Sequence, residues 1–347
     1  MDGVDAALVR TDGERIEELG PSLTLPYPEA FRARLRGVLG LTRDDPATAP
    51  VEAELGAWHA EAVERLLVQC SLDRREVDIV GFHGQTIHHA PARRLTVQLG
   101  NGVELARKIG IPVAWDFRSA DVAAGGQGAP FVPLFHAALV RDLEMPVVVL
   151  NIGGVANVTW IGGAEEILAF DTGPGNAPID DWVRKHTGEA FDRDGRLAFT
   201  GSINFSRVDE VINRTYFALS PPKSLDRNEF TDFLVVGHSL KDGVSTLGEI
   251  IVQSISRSRM HFPRLPGQWV VCGGGRHNKW LRTRLESELK PAAVINSDQL
   301  GWNGDAIEAQ AFGFLAVRVR LGLPLSLPST TGVPEPMTGG RLHVPTA

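Results

Sequence analysis

Three apolar runs of β character in this chain stop at grouped glycines, and that pattern narrows its possible folds more than any other feature. The runs are VVVLNIGG, ILAFDTGPGN and QWVVCGGG, and a fourth group, GGQG, follows DFRSADVAA. Glycines grouped in this way suit places where the backbone approaches another strand or a ligand closely. Helical periodicity resumes after two of them, in DDWVRKHTG and NKWLRTRLESEL. Strands and helices therefore alternate, and the class is α/β.

The rest of the chain fits that class. VDAALVRTDG and ERIEEL predict a hairpin. PEAFRARLRGVLG and PVEAELGAWHAEAVERLLVQC predict helices, and VDIVGFHGQT a short buried strand ending in a polar loop. TVQLG, GVELARKIG and IPVAWDF predict a strand–helix–strand unit suited to a parallel sheet. From about residue 147 the organisation repeats: a hairpin in VVVLNIGGVANVTWIGG, a third strand in EEILAFDTG, then helices, a strand at QWVVC and a further helix. The helical run GDAIEAQAFGFLAVRVRLG precedes a proline-rich tail. Two domains are expected, 1–143 and 144–347, with the last helix folding back. No repeat of fixed period accompanies them.

Bulk properties exclude several classes. The formal net charge of −7 over 347 residues leaves no basic footprint for nucleic acid. No run of about 18 apolar residues predicts a membrane span, and the opening MDGVDAALVRTDG lacks the regions of a signal peptide. Cys70 and Cys272 match no metal or redox spacing, which suits a reducing compartment. These features predict a cytoplasmic protein acting on a small molecule.

Several motifs could carry chemistry. NIGGVAN leaves backbone N–H groups bare, as phosphate oxygens require, although a hairpin turn needing positive φ explains the same glycines. CGGGRHN follows a β run and opens a helix, a setting for a nucleotide or simply a buried turn. Neither G-x-G-x-x-G nor G-x-x-x-x-G-K-[ST] occurs, so a dinucleotide fold and a P-loop are disfavoured. GFHGQT places His83, Gln85 and Thr86 where a hydroxylated ligand could meet them, yet the common fate of a lone histidine is a satisfied neutral imidazole. The pair His88-His89 has no acid or cysteine at ligand spacing. Asp116, Arg118 and Asp121 in DFRSAD form either a structural ion pair or a clamp on a carboxylate. Asp171 stands before Gly173-Pro174-Gly175, so the following helix begins too late for it to be the N-cap; Asn176 or Asp180 is better placed. It is either a turn-stabilising acid or a base that activates a hydroxyl or water.

DGVDAALV, GFHGQTIHHAP, TVQLGN, DFRSADVAAGGQGAP, LNIGGVANV, FDTGPGNAPIDDW, FDRDG, PPKSLDR, CGGGRHN and IEAQAFGFLA run in order from residue 1 to the tail. Together they resemble the anhydro-N-acetylmuramic acid kinase family, within the actin-like sugar kinase and Hsp70 ATPase superfamily. The resemblance implies two actin-like (ribonuclease H-like) domains with mixed sheets flanked by helices. ATP and sugar would lie in the interdomain cleft, with the last helix packing toward it. The implied reaction turns 1,6-anhydro-N-acetylmuramic acid, ATP and water into N-acetylmuramic acid 6-phosphate and ADP in murein recycling. By motif match Asp171 is the general base. Thr86, Gln98, Asp116, Arg118 and Glu308 would line the sugar pocket. Asp2, Gly3, Asn151, Gly153, Gly154, Asn157, Gly173, Gly273, Gly274, Gly275 and Asn278 would hold ATP. Mg2+ would bridge phosphate oxygens, with Asp2 the nearest protein ligand. A homodimer is expected.

Two departures from the family pattern stand out. Many members carry further arginines where this chain has Ser119 and Ala120. The family's first strand and a Gly-Thr-Ser phosphate loop precede the Asp-Gly pair, whereas this sequence starts at Met1-Asp2-Gly3. An unpaired sheet edge and a depleted phosphate site are expected from that, explained either by a start assigned too late at an internal methionine or by a true short form, which opens a second reading, a sugar sensor without turnover. A plain glycoside hydrolase would need a second carboxylate across the scissile bond.

Overall fold

A computed structural model describes residues 3–163, 166–227 and 229–345. Asp2, assigned above to nucleotide and metal, lies outside them. The chain forms two compact units, Met1–Leu139 with Ala306–Ala347, and Val140–Asp305. The expectation that everything after residue 143 forms one domain is corrected at the C-terminal end. The helix Ile307–Leu321 packs on strands of the first unit, because Ala311, Phe312, Phe314 and Leu315 bury there.

The first unit carries strands β1 (Gly3–Thr11), β2 (Ile16–Pro26), β3 (Val80–Phe82), β4 (Gln85–Ala90), β5 (Leu95–Leu99) and β6 (Val113–Trp115). The second carries β7 (Val147–Ile152), β8 (Val155–Ile161), β9 (Ile167–Pro174), β10 (Gln268–Cys272) and β11 (Ala293–Asn296). β12 (Arg341–His343) returns to the first unit.

In the second unit the five strands form one mixed sheet in the order β11-β10-β7-β8-β9. β7, β8 and β9 are antiparallel neighbours, whereas β10 runs parallel to both β7 and β11. β7 reads VVVLNI and is buried at nearly every position, as befits a central strand covered on both faces. The helices include Ala177–Thr187, Phe205–Ile212, Leu240–Arg257 and Lys279–Glu288. Leu240–Arg257 is the central one: Ser239 caps it by accepting from the Asp242 N–H at 3.2 Å, and most of its length is buried.

The first unit is built of smaller pieces. β1 and β2 form the expected hairpin, β4 pairs antiparallel with β5, and β12-β6-β3 form a three-stranded sheet. The helix Gly102–Ile109 starts where Asn101 accepts from the N–H groups of Val103 and Glu104, and stops at left-handed Gly110. Two expectations need correction. Gln85 and Thr86, expected in a polar loop, open the strand β4, because Ile87 buries in the core and the residues on either side of it pair with β5. The parallel partner of β6 is β3 and not β5, since a short turn at Pro91–Arg93 already commits β5 to β4. A cavity of about 870 Å³ lies beside β1, lined also by β3 and by the helices Thr48–Cys70 and Ile307–Leu321. Among the described residues no helix is long and apolar enough to cross a membrane.

Candidate active site

One row of residues crosses the sheet of the second unit. Cys272 on β10 stands opposite Asn151 on β7, Asn151 opposite Asn157 on β8, and Asn157 opposite Asp171 on β9. These strands are otherwise almost wholly buried, yet Asn151, Asn157 and Asp171 all keep partial exposure. Three polar side chains in register at one end of an apolar sheet mark a face built to meet something polar. It lies at the carboxyl ends of the parallel strands β7 and β10, where α/β sheets place their ligands.

Asp171 is neither an N-cap nor a local turn acid. Asn176 occupies the N-cap of Ala177–Thr187, and Asp171 sits within β9. Its backbone N–H donates to the Lys223 carbonyl at 3.0 Å. Its Oδ2 accepts the Leu225 N–H at 2.8 Å, and Tyr216 Oη donates to its carbonyl at 2.7 Å. Burial pushes its carboxyl up to about 7, against the opposing pull of the Leu225 hydrogen bond. A carboxylate with one oxygen fixed, some surface open and a proton affinity near neutrality can accept a proton from water.

Two of the three residues that hold Asp171, Lys223 and Leu225, come from PPKSLDR, which the sequence marked only as a family motif. Lys223 is itself buried and donates to the carbonyls of Tyr216 and Phe217 at 3.1 and 3.5 Å. Its ammonium lies over the rings of Tyr216 and Phe170, and desolvation lowers it to about 8. Two residues beyond Leu225, Arg227 reaches Asp181 at 3.2 Å. No sequence signal links Lys223 or Leu225 to Asp171, since they are far apart in the chain.

The glycine groups of this unit are brought together. Gly175 N–H donates to the Gly154 carbonyl, Asn176 N–H to that of Gly153, and Asn176 Nδ2 to that of Ile152. A methyl group on Gly273 would lie 2.3 Å from Asn151 Oδ1, and one on Gly275 2.5 Å from Ile152. A methyl on Gly173 would crowd Phe217 and Ser254 at 2.9 Å. Those three glycines are needed for packing. At Gly153, Gly154 and Gly274 a methyl would meet nothing nearer than 3.6 Å, and their φ values are not positive. Neither conformation nor packing demands glycine there. Positive φ therefore does not explain the NIGG glycines, although the Gly153 N–H is spent within the turn on the Val155 carbonyl at 3.2 Å. Asn278 accepts the Leu281 N–H through Oδ1 and so caps Lys279–Glu288. Gly3 approaches the Leu25 carbonyl within the β1/β2 hairpin.

The remaining candidates lie in the first unit. Gln98 is buried and donates to Thr86 Oγ1 at 3.3 Å and Thr96 Oγ1 at 2.6 Å. Asp116 adopts a left-handed backbone (φ 55°), accepts from Ser119 Oγ and pairs with Arg341 at 3.0 Å. Asp121 is buried and accepts from Gly128 N–H, Ser326 and Thr331. Neither acid lies within ion-pair distance of Arg118, and Asp116 takes Arg341 as its partner instead. Arg118 Nε instead donates to His83 Nε2 at 2.8 Å, and Nη1 to the Gly128 carbonyl. Desolvation lowers Arg118, while the more distant Glu308 and Asp121 act the other way. Glu308 is exposed in the first turn of Ile307–Leu321. Among the described residues, no group of three or more His, Cys, Asp or Glu could hold a metal ion.

A mixed α/β chain with open glycine turns at its strand ends and a near-neutral carboxylate beside them has the equipment of a phosphoryl-transfer enzyme that also activates a nucleophile. The comparisons narrow this. The family model described as anhydro-N-acetylmuramic acid kinase matches residues 1–344. The chain is 50% identical over 348 residues to the anhydro-N-acetylmuramic acid kinase of Paramagnetospirillum magneticum, covering 99% of this chain and 97% of the relative. It is also 50% identical to the enzymes of that name from Acidiphilium cryptum (99% and 96% covered) and Rhodospirillum rubrum (98% and 90% covered). The chain belongs to the anhydro-N-acetylmuramic acid kinase family. It is an enzyme, a kinase of murein recycling.

Proposed function

We propose that this chain converts 1,6-anhydro-N-acetylmuramic acid, ATP and water to N-acetylmuramic acid 6-phosphate and ADP, with Asp171 as general base. The observation that carries this is the setting of Asp171: in register with Asn157 and Asn151, one oxygen tied to Leu225, and a proton affinity raised to about 7. A base of that strength accepts a proton from water at neutral pH without being saturated by one. Water attacks the anomeric carbon while Asp171 takes its proton, and the bond from that carbon to O6 breaks. O6 takes the γ-phosphoryl group and ADP leaves. This is inverting glycoside hydrolysis with a phosphoryl donor in the place of the general acid.

Gly154 and Gly274 supply backbone for phosphate oxygens, Gly153 shapes the turn between them through its N–H bond to the Val155 carbonyl, and Asn151 and Asn157 offer polar side chains at the same strand ends. Gly273 and Gly275 support that role by letting their turn lie against β7, Gly173 by letting β9 pack on Phe217 and Ser254, and Asn278 by starting the following helix. Thr86, Gln98, Asp116 and Glu308 serve the sugar, and Arg118 its lactyl carboxylate. Magnesium, when bound, neutralises phosphate charge. A homodimer working in the cytoplasm completes the proposal, and light scattering tests its oligomeric part.

The direct test incubates the purified chain with Mg-ATP and the anhydro sugar and weighs the product. A gain of one water plus one phosphoryl group is expected. Unchanged sugar, or a gain of phosphoryl without water, would sink the reaction.

A further inference from the structure

The first unit holds a charged group in an unusual state. Arg118 is desolvated, yet among the described residues no carboxylate lies within ion-pair distance of it. Its hydrogen bonds go to neutral acceptors, His83 Nε2 and the Gly128 carbonyl, and its guanidinium rests over Phe131 at 5.3 Å. The half-buried guanidinium feels Glu308 and Asp121 only from a distance, so it lacks a carboxylate in direct contact and can take a ligand's negative charge as that partner.

His83 decides which way that charge faces. An arginine Nε–H can only donate, so His83 Nε2 must be unprotonated. The ring proton then sits on Nδ1, facing the Gly84 carbonyl at 2.9 Å. Phe312 packs against the ring at 4.5 Å between centroids, fixing its plane. The imidazole is a neutral acceptor locked in one tautomer, and burial together with the Arg118 charge keeps it so. Nε and Nη1 are thereby engaged, and the remaining Nη2 edge is held in a fixed direction.

Resting on the proposed function, we infer that His83 is a positioning residue. It orients Arg118 for the carboxylate of the sugar substrate and makes no contact with the substrate itself. A core histidine would be replaceable by any side chain of similar volume, whereas this one must offer an acceptor at the Nε2 position.

The test is a double-mutant cycle on the KM for 1,6-anhydro-N-acetylmuramic acid, with the KM for ATP and thermal unfolding followed in parallel. His83→Leu removes the acceptor and should raise the sugar KM about tenfold or more, since a hydrogen bond to a charged group is lost. The KM for ATP should stay unchanged. His83→Gln presents an amide oxygen near the Nε2 position and should recover most of the loss. In an Arg118→Lys background, which lacks the Nε–H, His83→Leu should add little further effect. Equal penalties for His83→Leu in both backgrounds would overturn the inference. So would failure of His83→Gln to rescue, or an unaltered sugar KM in His83→Leu. If His83→Leu does not fold, the Gln and Lys variants still decide, because the Gln variant must stay close to wild type. A wild-type chain that phosphorylates no sugar would be a failure of the proposed function, seen before any variant is made.

Discussion

At the scale of the residue, Gly173-Pro174-Gly175 bars Asp171 from capping the next helix, which leaves a turn acid or a base, and only the family motif chooses the base. Its environment could not be read in the same way. Leu225 and Lys223, which hold it, are brought near only by the fold, and a leucine N–H leaves no signature in a sequence. Two predictions belong here. The raised carboxyl of Asp171 must be ionised to act, so kcat/KM should fall as pH drops through about 7. The same rise has a stability consequence. A carboxyl whose folded value lies above its unfolded one favours folding fully below the unfolded value, and loses that contribution as pH rises through about 7. Asp171→Asn should therefore abolish turnover while raising the melting temperature by a few degrees, on the order of 1–2 kcal/mol, at pH 8. At pH 4 the melting temperatures should converge; calorimetry at both pH values checks this. The glycines give the second prediction. Gly275→Ala should cost ~1–3 kcal/mol through overpacking against Ile152, whereas Gly274→Ala should leave stability within about 0.5 kcal/mol and raise the KM for ATP.

Elements were more legible than their pairing. The hairpins β1/β2 and β7/β8 announced themselves by apolar runs around turn residues, and the helices by their periodicity and caps. Short strands escaped: β4 looked like a polar loop because one residue, Ile87, carries its burial, and β12 lies in a tail read only for its prolines. Partner choice for β6 depended on whether β5 was already committed, a tertiary matter that local pattern does not encode. The PPKSLDR segment teaches the same point functionally. Lys223 ties it to the Tyr216 and Phe217 carbonyls, and so steadies the Leu225 N–H on Asp171. Lys223→Met should loosen that bond, which at present lowers the carboxyl. The acid limb of the kcat profile should then move up by as much as ~1 unit and kcat should fall about tenfold. A profile that overlays wild type would show that the lysine serves packing alone.

At the scale of the whole molecule, both units contain an antiparallel hairpin and a parallel strand pair. In the second unit β7 joins β8-β9 to β10-β11 in one sheet. In the first, β1/β2 and β3/β6 belong to separate sheets, and the cavity lies beside β1 and β3. The repeat seen in the sequence is thus real in kind but unequal in completeness. A strand paired on both edges opens less readily than one paired on a single edge. Amide hydrogen exchange should be slower in β7 than in β1 by at least about tenfold; equal protection would mean that the first unit draws its stability from elsewhere.

The central claim is that Asp171 delivers water to the anomeric carbon while the phosphoryl group goes to O6. The measurement that meets it most directly runs the reaction in heavy-oxygen water with wild type and Asp171→Asn, and locates the label in the product by fragmentation. Heavy oxygen is expected on the anomeric carbon and none in the phosphoryl group, with no product from the variant. Label in the phosphoryl group, or turnover by the variant near the wild-type rate, would contradict it.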